Sequence, residues 1–247
     1  MSKKTESSMF YDEKTGELKI NPRSILVIDA EERMLPFSYP TGKDGIIIRE
    51  ISSFPEFKAM LKAAINSKTI ELIFIDSFTR LLYWIEKDLK ARGLTGFTLW
   101  GEYASEIEDL FMEYTSANKF IVFTSHDHLT QDNDSIMRKT AYAQGRLSGK
   151  VEGFFDVVVH THVNPTKDVS ERYMFEVHPV TGKTSTKTHQ LFPDKSYIPN
   201  NLALILGAIY KMRGIGDNPT MRRDKVLLVG KSGSGKSTSL KYAIKEN

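Results

Sequence analysis

Short runs of consecutive apolar residues recur along the chain, each closing on a small or acidic polar residue. Between them, apolar side chains return every third or fourth position. Residues 24–30 (SILVIDA), 71–76 (ELIFID), 119–125 (KFIVFTS) and 225–229 (KVLLV) are too short for buried helices and rich in β-formers. Such runs predict strands buried on both faces, as in a parallel sheet. Residues 154–161 (FFDVVVHT) and 172–178 (RYMFEVH) predict two more strands, and 46–48 a short one. Helical spacing over 55–66 puts Phe57, Met60, Leu61, Ala64 and Ile65 on one face, with Ser53 placed to cap it and Pro55 near its start. Helices are also predicted over 78–91, closed by Gly93, over 100–117, with Ile107, Leu110, Phe111 and Tyr114 inward, over 201–213 and over 236–246.

The remaining stretches predict connections. Phe10-Tyr11 and Leu18-Lys19-Ile20 flank a turn-like 12–17, so residues 1–23 predict an N-terminal extension holding a short hairpin. Residues 36–45, 93–98, 127–150 and 214–223 predict loops, and 180–183 a turn that folds the 172–178 strand into a hairpin at the sheet edge. Strands alternating with helices indicate an α/β fold, a mostly parallel central sheet flanked by helices, in one domain over 24–247.

Composition narrows the chemistry. The 247 residues include no cysteine, which excludes disulfides, thiolate metal sites and cysteine nucleophiles and fits a reducing, cytoplasmic setting. Lys plus Arg is 34 against 31 Asp plus Glu, a net charge of +3, too weak to announce a nucleic-acid binder by itself. The polar start lacks the apolar stretch of a signal peptide, and no run approaches the roughly 18 apolar residues of a membrane helix.

The most specific motif lies near the end. Gly230-Lys231-Ser232-Gly233-Ser234-Gly235-Lys236-Ser237-Thr238 contains G-x-x-x-x-G-K-[ST] in full, with a strand leading in and a helix predicted to lead out. The glycines let the backbone wrap a polyphosphate so that several N–H groups face it. Lys236 is placed to reach the β- and γ-phosphates of ATP, and Ser237 to offer its hydroxyl to Mg²⁺. Hydrolysis also needs a metal-orienting carboxylate and a group that activates water. Nothing after Ser237 is placed to supply them, so they are expected at the tips of earlier strands, where ligands of open α/β sheets gather. Asp76, after ELIFI, is the candidate metal-orienting carboxylate. Glu31, just past SILVIDA, is the candidate water activator, and Ser125 and His126 are candidate γ-phosphate contacts.

Together these residues carry a resemblance. VIDAE at 27–31, LIFIDS at 72–77 and FIVFTSH at 120–126 resemble, in turn, the catalytic-glutamate strand, the Walker B strand and the sensor strand of RecA-type ATPases. Trp100-Gly101, His126, Leu147-Ser148-Gly149-Lys150 and Asp156-Val157-Val158 follow in the order found in the compact RecA-like ATPases of bacteriophages. The departure is order: in that family the phosphate loop comes first, and here it comes last. The chain therefore resembles a circularly permuted RecA-like P-loop ATPase, whose elements regain the usual sequence when the end of the 236–246 segment is joined to the stretch before Ser24. A truncated longer protein and a permuted GTPase fit less well. The first leaves the ordered set at 24–160 as coincidence. The second lacks its guanine motif, since Asn118-Lys119-Phe120-Ile121 has no Asp.

The resemblance implies an ATP- and Mg²⁺-dependent ATPase, working as a hexameric ring or filament in the host cytoplasm if viral. It implies single- or double-stranded DNA as a partner, and a basic residue reaching a neighbour's γ-phosphate. Lys183, Lys187 and Arg146 are candidates for that role; Arg138, Lys139 and Tyr142, after the sensor strand, are candidate nucleic-acid contacts. An assembly or packaging ATPase without DNA contact, and a small-molecule kinase, are the rival functions. The pairs His126/His128 and His160/His162 have strand-face metal spacing but no evident third ligand.

Overall fold

A computed structural model describes residues 7–32, 35–114, 116–131, 137–180, 182–188, 190–218 and 220–246. The strands are β1 (Met9–Asp12), β2 (Glu17–Ile20), β3 (Ile25–Asp29), β4 (Ile47–Glu50), β5 (Leu72–Asp76), β6 (Phe120–Ser125), β7 (Asp127–Gln131), β8 (Met137–Ala141), β9 (Val157–Val163), β10 (Tyr173–Glu176), β11 (Tyr197–Pro199) and β12 (Lys225–Val229). The helices are α1 (Phe54–Asn66), α2 (Phe78–Ala91), α3 (Gly96–Tyr114), the single turn α4 (Val169–Arg172) and α5 (Leu202–Met212).

Eight strands form one sheet in the order β11-β10-β9-β12-β6-β5-β3-β4. From β9 to β4 the pairs are all parallel, while β10 runs antiparallel to both neighbours and closes one edge with β11. The last strand in the chain thus lies inside the sheet, between β9 and β6. Strand alternation sends successive side chains to opposite faces. Leu26, Ile28, Ile73, Ile75, Ile121 and Phe123 join the cluster under α1, α2 and α3. Val27, Leu72, Phe74, Val122, Val226 and Leu228 join the opposite cluster with α5 and the β1–β2 hairpin. Ser53, Ser77 and Asn201 cap α1, α2 and α5, each side chain accepting an N–H of the first turn.

The structure corrects four expectations. Residues 127–131 and 137–150 are not mostly loop: β7 and β8 pair antiparallel directly after β6, residues 132–136 between them lying outside the described residues. Weak apolar alternation hid this pair; cross-strand pairing and the Ala141 N–H on the Glu152 carboxylate (2.7 Å) hold it. The helix predicted over 100–117 begins earlier, at Gly96, and ends at Tyr114. Thr181 of the turn predicted at 180–183 lies outside the described residues, and among those described no strand returns directly after that turn to pair with β10. β10 instead pairs with β9 and β11, and the segment beyond residue 182 makes single bridges, Thr184 with Lys139 and Lys187 with Val158. The final segment is a 3₁₀ helix over Ser237–Ala243, after which Ile244 bridges to Ile20. Its Ser239 N–H is shared between Gly235 O (3.0 Å) and Lys236 O (3.2 Å), and its hydroxyl bonds back to Lys236 O, which favours the tighter turn. Among the described residues no helix is long and apolar enough to cross a membrane.

Candidate functional site

The loop after β12 is shaped by close backbone approach. Gly233 and Gly235 have φ of +74° and +87°, the left-handed region that glycine adopts without strain. A Cβ on Gly230 would lie 1.7 Å from Thr161 Oγ1, and one on Gly235 would lie 2.4 Å from Asn200 Nδ2. Those two side chains brace the loop: Thr161 donates to Ser234 Oγ at 2.8 Å, and Asn200 Nδ2 to Ser234 O at 3.3 Å. The buried Lys236 ammonium donates to Gly230 O at 2.7 Å and Lys231 O at 2.9 Å. Burial lowers its pKa from the ordinary lysine value, against the opposing pull of the Asp76, Asp127 and Glu31 carboxylates.

The strand tips bring in the carboxylates. Asp76, at the end of β5, accepts from Thr124 Oγ1 and from Ser237 Oγ, both at 2.5 Å. The second bond joins β5 to the residue that follows the loop lysine. Glu31 lies past β3, its backbone N–H bonded to Asp29 Oδ1 at 2.8 Å and its carboxylate accepting from Ser77 Oγ at 2.5 Å. His126 Nε2 is 3.6 Å from the same Glu31 oxygen, and the His126 N–H donates to Thr79 Oγ1 at 2.9 Å. The first turn of α2 therefore grips both Glu31, through Ser77, and His126, through Thr79.

Glu31, Asp76, Ser77 and His126 line one wall of a cavity of about 650 Å³, residues 232–238 a second, and Tyr173, Asn200 and Tyr242 a third. The volume suits a nucleotide-sized ligand. A divalent cation also fits. Magnesium needs few protein ligands when phosphate and water oxygens complete its shell, and Ser237 with Asp76 offers a hydroxyl and a carboxylate side by side. Among the described residues no three His, Cys, Asp or Glu side chains group to cage a metal, so neither histidine pair gains a third ligand.

Other candidates lie elsewhere. Ser125 is buried behind the cavity, its hydroxyl bonded to His126 O at 3.1 Å. Lys187 donates to Phe155 O at 2.7 Å, Arg146 pairs with Glu108 at 3.0 Å, and Lys183 is exposed beyond β10. Arg138 donates to Gly182 O at 2.7 Å, and Lys139 is exposed on β8. Tyr142 lines a neighbouring cavity of about 500 Å³, which shares Glu31 and His126 with the first. There the Arg80 guanidinium lies 4.4 Å from the Tyr83 ring and 5.0 Å from the Trp84 ring.

Sequence reasoning missed the roles of Ser77, Thr124, Thr161 and Asn200. Thr124 left a trace as a polar position inside a buried strand. Asn200 left none, because only the fold brings residue 200 against residue 235.

The comparisons add one result. Residues 14–195 match the AAA domain family, a segment that ends before the phosphate loop. No curated protein and no solved structure matches the chain. The family match spans about three quarters of the 247 residues, and the chain therefore belongs to the AAA domain family of P-loop ATPase-like proteins.

Proposed function

We propose that this cavity hydrolyses ATP with Mg²⁺, and that the chain is a circularly permuted RecA-like ATPase of bacteriophage character working as an oligomer on DNA. The observation that carries the reading is convergence: Glu31, Asp76 and His126, remote in sequence from 232–238, line the same cavity. The permutation is supported by β12 lying inside the parallel sheet and by the Lys245 N–H bonding Ile20 O, just before β3, at 2.9 Å.

In this reading the loop N–H groups and Lys236 hold the phosphates, Lys236 leaving its own loop carbonyls to do so. Ser237 and Asp76 would hold magnesium, which supplies charge neutralisation on the phosphate oxygens. Glu31 orients the attacking water and takes its proton as the water oxygen bonds to the γ-phosphorus and the bond from phosphorus to the β,γ-bridging oxygen breaks, ADP leaving with that electron pair. His126, beside Glu31, senses the γ-phosphate. Glu31→Gln and Asp76→Asn are each expected to lower phosphate release about 100-fold or more. A rate that survives both substitutions overturns the assignment.

DNA coupling is supported by the exposed Lys139 on the β7–β8 pair and by Arg80 stacked on two rings beside Tyr142. The alternative, an assembly or packaging ATPase without DNA contact, is favoured by the engagement of Arg138, Arg146 and Lys187 within the chain itself. Stimulation of the ATPase by DNA decides for the first; an unchanged rate decides for the second.

A further inference from the structure

A third cavity, of about 720 Å³, lies at the other end of the sheet, where β5, β6 and β12 begin. Glu71, Lys119 and Arg223 sit at those strand starts and all line it. Arg223 is 2% exposed and Lys119 6%. Arg223 Nη1 donates to Glu71 Oε2 at 2.6 Å, and Ser8 Oγ donates to Glu71 Oε1 at 2.9 Å. Glu71 is the one acidic side chain among the described residues of this cavity wall, and both of its oxygens are engaged. Two buried cations thus stand beside a single carboxylate, whose oxygens are held by Arg223 and Ser8.

The imbalance has a second sign. Arg223 Nε is buried with no acceptor, while its guanidinium lies 5.0 Å from the Phe120 ring centroid. A buried cation without full compensation costs free energy, and an anion in the adjoining cavity would recover part of it through space. Burial lowers the pKa of the Lys119 ammonium; Glu71 pulls it back up and Arg223 pushes it further down. The rest of the wall offers donors, with Lys68, Asn66, Asn118 and Thr220 among them.

We propose that this cavity is a binding site for a tetrahedral oxyanion of the phosphate class, free or as a phosphomonoester, distinct from the nucleotide cavity. Lys119 and Arg223 supply the charge; Asn118 and Thr220 supply neutral hydrogen bonds. Bound there, the anion ties the Ser8 end of the N-terminal hairpin to the starts of three strands. Those strands end in Asp76, Ser125 and the phosphate loop, so occupancy stiffens the platform of the nucleotide site from beneath.

The test uses the full chain carrying Lys236→Met, which disables the phosphate loop, so that its result is independent of the ATPase reading. Inorganic phosphate is titrated calorimetrically at constant ionic strength, with chloride as the control anion. One phosphate per chain is expected. Lys119→Met and Asn118→Asp should each weaken it about tenfold or more, the second by setting another negative charge at the wall, and Lys119→Arg should retain it. Asn118 is only half-buried, so its variant decides the matter should Lys119→Met fail to fold. Competition by glycerol phosphate extends the site to monoesters; its absence restricts it to the free ion. No phosphate uptake in the Lys236→Met chain, or uptake unaltered by Asn118→Asp, overturns the proposal.

Discussion

Lys236 and Arg223 are buried cations that flank the same strand, one beyond the end of β12 and one before its start. Their surroundings differ in kind. The Lys236 ammonium is held by two carbonyls of its own glycine-rich loop. The Arg223 guanidinium holds the Glu71 carboxylate, just before β5, and keeps an orphaned Nε. Carbonyls are neutral partners that a lysine exchanges for phosphate at little cost. A carboxylate is a charged partner, and losing it leaves a buried charge behind. The first cation is poised to move and the second is fixed.

Paired substitutions break this comparison most directly. Lys236→Met should lower kcat/KM for ATP about 1,000-fold while leaving stability unchanged or raised, because a desolvated charge disappears. Arg223→Met should leave the nucleotide cavity intact but cost about 3 kcal/mol of stability, because it strands Glu71. Phosphate-release kinetics and urea denaturation on both variants separate the two effects. Equal stability losses would mean that the two cations are held alike.

His160, on β9 beside the phosphate-loop strand, sharpens the same point through pH. It is 3% exposed, and burial lowers its pKa from 6.5 to about 4. The folded chain therefore refuses a proton that the unfolded chain accepts. Stability is fully present above pH 6.5 and is lost as pH falls toward 4, by about 3 kcal/mol in all. Glu152, 3.7 Å away, opposes this: burial raises its pKa, so its protonation favours the fold on acidification. His160→Gln should flatten the fall of urea-unfolding free energy across that window. An unchanged slope would place the acid sensitivity elsewhere.

The smallest expected effect concerns the hairpin that spans both ends. Ser8 meets Glu71 at one, and Glu17 accepts from Asn201 Nδ2 at 2.6 Å at the other. α5 approaches its turn so closely that a Cβ on Gly207 would lie 1.9 Å from Gly16 O. Gly207→Ala should cost about 2 kcal/mol, read as a lower thermal midpoint, by pushing the hairpin away. No loss would mean that the hairpin gives way freely and does not link the two cavities.

Legibility in the sequence followed the kind of constraint at each place. The buried parallel strands were readable because burial on both faces demands apolar runs, and β3, β5, β6 and β12 lie where those runs lie. The phosphate loop was readable because its conformation requires glycines at set positions, visible at Gly233 and Gly235. The β7–β8 pair was not, because a half-exposed ribbon needs little apolar alternation. Lys119 and Arg223 were equally silent, being single charged residues at strand starts that resemble ordinary surface positions.

By itself, then, the amino-acid sequence determined the buried parallel strands and the helices α1, α2 and α5, the glycine-rich loop after β12, and Glu31, Asp76 and His126 as candidate partners. These are local properties, set by side-chain period and backbone freedom. Only the tertiary structure decided that β12 enters the sheet between β9 and β6, so that Ser237 meets Asp76 and Asn200 meets Gly235. It alone gathered two cations around Glu71. Contacts between residues remote in sequence, 161 positions apart for Asp76 and Ser237, are fixed by strand order and register, which no local pattern encodes.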